Sequence, residues 1–104
     1  MRCLFIVNPS SGTKTIQKRL DKIIGQMVLQ QIVNHVDVFY TQKKNDAYQQ
    51  CLTLNPSDYD FIVSVGGDGT VNEIISGMIE KNLEIPLAIL PGGTVNDFAN
   101  HLSL

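Results

Sequence analysis

The sequence predicts an α/β fold with three layers, α/β/α, built on a mainly parallel sheet. Three observations predict it. Four short apolar runs, Arg2 to Val7, His35 to Tyr40, Phe61 to Val65 and Leu87 to Leu90, recur along the 104 residues. Helical patterns separate them, and strand–helix repetition implies crossovers, hence parallel pairing with helices on both faces. Turn residues then follow three of the runs at their carboxyl ends, at Asn8 to Gly12, Gly66 to Gly69 and Pro91 to Thr94, while Thr41 follows the remaining one. In a parallel sheet those ends share one edge, which is where such folds bind ligands.

The elements follow in order. Arg2 to Val7 is continuously apolar after its first residue, as a strand buried on both faces must be. Asn8-Pro9-Ser10-Ser11-Gly12 ends it. An amphipathic helix runs from about Lys14 to Gln31, with Ile16, Leu20, Ile23, Ile24, Met27 and Val28 as its apolar stripe; Gly25 weakens it without ending it. In the second strand, Val36, Val38 and Tyr40 alternate with His35, Asp37 and Phe39; Phe39 blurs the alternation, so partial burial on both faces is the expectation. Thr41 to Lys44 is a polar connector. Asn45 or Asp46 can cap a short helix whose inner face is Ala47, Tyr48, Cys51 and Leu52. Asn55-Pro56-Ser57-Asp58 ends that helix ahead of the third strand. The next helix starts at Thr70, carries Val71, Ile74, Ile75, Met78 and Ile79 at helical spacing, and stops at Asn82. After the fourth strand, Val95 to Leu102 reads as helical, with Val95, Phe98, Ala99 and Leu102 on one side.

Composition narrows the function classes. A chain of 104 residues suits one domain with a real core. The net charge is −2 and there is no basic block, which argues against nucleic acid as a partner. Cys3 and Cys51 are far apart and read as reduced core thiols, and His35 and His101 lack metal-ligand spacing. The run Cys3 to Val7 is too short for a signal peptide or a membrane span. A soluble, cytoplasmic protein is the expectation.

The most informative stretch is Val63-Ser64-Val65-Gly66-Gly67-Asp68-Gly69-Thr70-Val71-Asn72-Glu73. A buried strand stops at glycines, and a helix begins. Such a turn offers bare N–H groups at the positive end of a helix dipole, where anions bind. Side chains at Gly66, Gly67 and Gly69 would keep a phosphate away from the backbone. Asp68 is the one carboxylate in the turn, and beside a polyphosphate it requires either Mg²⁺ or a substrate proton. The structural alternative is a tight turn with a charged helix start. Two nucleotide signatures are absent. Gly12 is followed by Thr13 with no partner glycine upstream, so there is no G-x-x-x-x-G-K-[ST]; a G-x-G-x-x-G read from Gly67 ends on Asn72.

Taken together, Asn8-Pro9-Ser10-Ser11-Gly12, Gly66-Gly67-Asp68-Gly69-Thr70-Val71-Asn72-Glu73 and Pro91-Gly92-Gly93-Thr94-Val95-Asn96-Asp97-Phe98-Ala99 resemble the three successive motifs of the diacylglycerol kinase catalytic domain, in its bacterial lipid kinase form. The resemblance covers nearly the whole chain. Runs similar to G-G-D-G-T occur in NAD kinases and 6-phosphofructokinases, whereas P-G-G-T-x-N-D-F-A marks the lipid kinases.

The resemblance implies the nucleotide-binding domain of the NAD kinase and diacylglycerol kinase fold, with ATP and Mg²⁺ as cofactors and a lipid acceptor such as diacylglycerol. It implies that Asn8, Pro9, Ser10, Ser11 and Gly12 hold ATP together with Gly66, Gly67, Asp68, Gly69, Thr70, Val71, Asn72 and Glu73, the latter turn around the phosphates. Thr41 and Thr94 would add hydroxyl contacts. Asp68 would act in catalysis, by coordinating the cation through water or by orienting the acceptor. Glu73 and Asp97 read equally as helix-start residues. Where the family often has an arginine after Phe-Ala, this chain has Asn100. Family members carry a second, β-rich domain that supplies the catalytic base, so the chain is expected to be the first domain of a longer enzyme. That enzyme would touch the inner membrane surface transiently, and the isolated domain would expose an apolar patch and be able to self-associate. The other function classes are a kinase of a soluble acceptor, NAD or a sugar phosphate, and a non-catalytic nucleotide-binding or interaction module.

Overall fold

All four strands form where the apolar runs place them: β1 (Arg2–Val7), β2 (His35–Tyr40), β3 (Phe61–Val65) and β4 (Leu87–Leu90). Between them lie α1 (Thr13–Leu29), α2 (Asp46–Leu52) and α3 (Asp68–Lys81). The structure, a computed structural model, describes residues 1–9 and 13–90, with backbone only for 13–17. The helix expected from Val95 to Leu102 lies outside the described residues.

Every pairing is parallel, and the strand order is β2-β1-β3-β4. The central strands β1 and β3 are buried on both faces, which is why Cys3 to Val7 and Phe61 to Val65 are unbroken apolar runs apart from Ser64. Alternate residues feed two cores. Cys3, Phe5, Val7, Val63 and Val65 pack under Leu20, Ile23 and Met27 of α1. Leu4, Ile6 and Ile62 pack under Ala47 and Cys51 of α2 and Ile74 and Met78 of α3. The three layers follow from this division. Cys3 and Cys51 sit in different cores, both free and buried. Burial pushes their thiols up to about 12 and about 11, so both stay protonated.

β2 is an edge strand partly buried on both faces, as Phe39 led one to expect: Val36 packs against one core and Phe39 against the other, while Val38 and Tyr40 remain 36% and 40% exposed. Two helix faces are corrected. In α1, Val28 lies on the flank of the stripe and is exposed. In α3 the buried face is Thr70, Ile74, Gly77 and Met78; Ile75 and Ile79 are exposed. Successive helical residues turn by about 100°, so residues directly after Ile74 and Met78 leave the contact. Ile75 and Ile79, with Met78, Asn82, Leu83 and Leu87, line an apolar groove between α3 and β4. Asn82 ends α3 in the left-handed conformation, φ 57°, as its C-cap.

Close approach of α2 to α3 depends on Gly77. A Cβ there would stand 2.6 Å from Cys51 Cβ and 2.9 Å from the Tyr48 carbonyl oxygen. At the amino edge, the Tyr59 hydroxyl donates to Asp37 Oδ2, His35 Nε2 lies 3.0 Å from the same oxygen, and the Arg2 guanidinium stands 6.0 Å from the Tyr59 ring centre. The Tyr59 bond, then that of His35, holds the Asp37 carboxyl below its usual value. Burial, then the bond to Asp37, pushes the Tyr59 hydroxyl up to about 12. The unfolded value is about 10, so this contribution to stability is complete below that pH and is lost as pH rises through the folded value. Wild type should therefore lose stability more steeply than Tyr59→Phe between these limits. Parallel alkaline denaturation profiles would show that the Asp37–Tyr59 bond is not made in solution.

Candidate functional site

The strand order locates the site. From β1 the chain crosses to β2 on one side, then returns to β3 on the other, so the order reverses between β1 and β3. The helices that follow β1 and β3, α1 and α3, pack on opposite faces of the sheet, and in such sheets the binding crevice lies at the carboxyl edge between the two strands. Three loops begin at one level there. The Asn8 N–H donates to Val65 O at 2.8 Å, and the Thr41 N–H donates to Val7 O at 2.9 Å.

Asn8, Pro9, Thr41 and Glu73 line one cavity of about 230 Å³, together with Gln42, Lys43 and Lys44. These four expected residues are thus brought together from the ends of β1 and β2 and from α3. Gly66 lies alongside. A Cβ on it would meet Thr70 Oγ1 at 2.8 Å and Asn8 Cβ at 3.2 Å, at a φ of 158° that L side chains rarely adopt. Its glycine is required by neighbouring protein, Thr70 and Asn8, and not only by a guest. Gly67 and Gly69 differ: a Cβ on either would meet nothing within 4 Å. Those two positions leave open space over the first turn of α3.

α3 begins at Asp68, two residues earlier than the sequence suggested, because Asp68 and Gly69 already adopt helical backbone after the Gly67 N-cap. Gly67 has no side-chain cap, so the helix start presents N–H groups without a side-chain partner at the cap. The Val71 N–H donates to Gly67 O at 3.3 Å, and Thr70 is buried beneath the turn. Asp68 and Asn72, one turn apart, are both exposed and lie outside the cavity lining. Gly69 and Glu73, also one turn apart, share the adjacent face, and Glu73 reaches the cavity. Ser10, Ser11, Gly12 and Thr94 lie outside the described residues.

The sequence reading passed over Lys43 and Lys44. Their signal was position alone: the connector after β2 opens on the same edge as the other loops. Asn45 or Asp46 was expected as the helix cap, and Asp46 lies inside the helix as its first residue. Its carboxylate instead reaches back, accepting the Gln42 N–H at 2.7 Å and the Lys43 N–H at 3.0 Å. Asn45, the N-cap, is left-handed at φ 75° and makes no side-chain cap. The connector is therefore a fixed turn.

Among the described residues no group of three His, Cys, Asp or Glu could hold a metal. No helix among them is long and apolar enough to cross a membrane. A cation carried by phosphate oxygens and water needs only one or two protein carboxylates; Asp68 and Glu73 lie five residues apart on α3 and on different faces of it, so each would meet such a cation separately.

Comparisons with known proteins agree with this arrangement. The family profile of the diacylglycerol kinase catalytic domain matches residues 2–104. The Staphylococcus aureus (strain MRSA252) protein named "Putative lipid kinase SAR0780" is 35% identical over 98 residues, covering 90% of this chain and 32% of the relative. A crystal structure of a diacylglycerol kinase from Bacillus anthracis str. Sterne superposes with a TM-score of 0.72 at 35% identity, covering 98% of this chain and 38% of that one. The chain spans about a third of the length of the curated relatives it matches. With its sheet, its glycine turn and its sequence all in agreement, the chain belongs to the diacylglycerol kinase catalytic domain family.

Proposed function

We propose that this chain is the ATP-binding domain of a lipid kinase that transfers the γ-phosphoryl group of ATP to a lipid hydroxyl, with diacylglycerol as the acceptor. The observation that carries the reading is the meeting of Asn8, Pro9, Thr41 and Glu73 around one cavity, beside a turn left open at Gly67 and Gly69. Family membership supports the same reading. The open turn fits phosphate oxygens, with N–H groups at the start of α3 facing them. Ser10, Ser11, Gly12 and Thr94 are assigned to the same nucleotide. Mg²⁺, when bound on the phosphates, would neutralise their charge. Asp68 would hold it through water or orient the acceptor hydroxyl, and Glu73 would face the nucleotide from the second turn of α3. The chain's own part in catalysis is then positioning and charge placement. A second, β-rich domain in the full-length enzyme would complete the acceptor site and supply the base. Contact with the membrane would be peripheral, at its cytoplasmic face.

The test is acceptor choice. Full-length protein given radiolabelled ATP should label diacylglycerol in mixed micelles and leave NAD and sugar phosphates unlabelled, while residues 1–104 alone should bind ATP with little transfer. Labelling of NAD or a sugar phosphate in place of lipid, or no ATP binding at all, would overturn the proposal.

A further inference from the structure

The two carboxylates assigned to this site, Asp68 and Glu73, are negative, yet the proposed guest is a polyanion. The cations of the cavity come from the β2–α2 connector. Lys43 and Lys44 line it together with Glu73, and among the described residues no ion pair joins either lysine to a carboxylate. Left unpaired, both ammonium groups are available to an anion.

Their loop is also prearranged. Asp46 Oδ2 accepts the Gln42 and Lys43 N–H groups, and the Asp46 N–H donates back to Lys43 O at 3.2 Å. The Thr41 N–H is tied to Val7 O at the end of β1. The connector is thus anchored at both ends to framework that positions the cavity, so little backbone freedom would be lost when a ligand arrives.

We infer that Lys43 and Lys44 form the cationic phosphate contact of this site and give it its preference for a nucleoside polyphosphate over a monophosphate. The inference rests on the proposed ATP site and adds to it the residues that read the phosphate chain. Lysine suits the task as a compact point charge on a flexible stem, which can follow a polyphosphate in more than one pose. Asp46 is a positioning residue: it sets the loop and does not touch the ligand.

The test is titration calorimetry of ATP and AMP, each with and without Mg²⁺, against the 104-residue chain and its K43Q/K44Q variant. Both lysines are exposed, so the variant should keep the wild-type melting temperature and circular dichroism spectrum. ATP affinity should fall about tenfold or more in the variant, AMP affinity should change by less than about twofold, and the ATP-over-AMP ratio should collapse. Raising salt should weaken ATP binding to wild type more than to the variant. Asp46→Ala should lower the ratio partway, and Asp46→Asn should restore much of it if hydrogen bonding to the loop is what matters. If wild type and variant prefer ATP equally, the lysines do not read the phosphates and the inference fails while the ATP site stands. If wild type binds neither nucleotide, both fail.

Discussion

Gly77→Ala is expected to destabilise the domain by about 2 kcal/mol, lowering its melting temperature by roughly 10 °C. Forcing a methyl into a packed contact costs up to about 3 kcal/mol or more, and alanine's better helix propensity returns only about 1 kcal/mol. The added Cβ would meet Cys51 Cβ at 2.6 Å and the Tyr48 carbonyl at 2.9 Å. Neither is the far end of a flexible side chain, so α2 and α3 must separate. That opens the core in which Ala47, Cys51, Ile74 and Met78 meet β1 and β3. Gly77→Val should be worse still. Urea or thermal denaturation measures the effect. An alanine variant as stable as wild type would mean that the two helices are not in the close contact described.

Asp68→Asn in the full-length kinase is expected to lower kcat by about a hundredfold or more with little change in stability. The proposed role requires a negative charge that either holds a cation through water or orients a hydroxyl, and asparagine preserves shape while removing that charge. Asp68 is exposed in the first turn of α3, and among the described residues no hydrogen bond or ion pair ties its side chain to the fold. Loss of its charge should therefore register in turnover and not in melting temperature. Loss of the favourable charge at a helix start is worth under about 1 kcal/mol at an exposed site. Turnover within about threefold of wild type would remove Asp68 from the chemistry and shift attention to Glu73, the carboxylate that reaches the cavity.

Much was legible in the residues because the relevant physics is local. Continuous apolar runs identified β1 and β3 as strands buried on both faces. Apolar spacing identified α1 and α3, and an asparagine able to take positive φ marked the end of α3. The sequence misjudged features that depend on what lies across the contact. Ile75 and Ile79 share the helical spacing of Ile74 and Met78 but not their neighbours, and Val38 has the alternation of an inward residue on a strand that lies at an edge. The need for glycine at Gly77 comes from the proximity of α2, which no local pattern in α3 displays. Of the two candidate caps, Asn45 takes the N-cap position, and the Asp46 carboxylate turns back to the connector.

The sequence by itself determined the class of the fold, the order of its elements and the glycine turn from which phosphate binding is argued. Periodicity and backbone permissiveness are properties of short stretches and need no partner. Tertiary structure alone decided that β1 and β3 lie side by side with their helices on opposite faces, because strand order is set by how apolar faces are shared among distant segments. That choice brings Asn8, Thr41 and Glu73 to one cavity and adds two lysines that no motif had singled out.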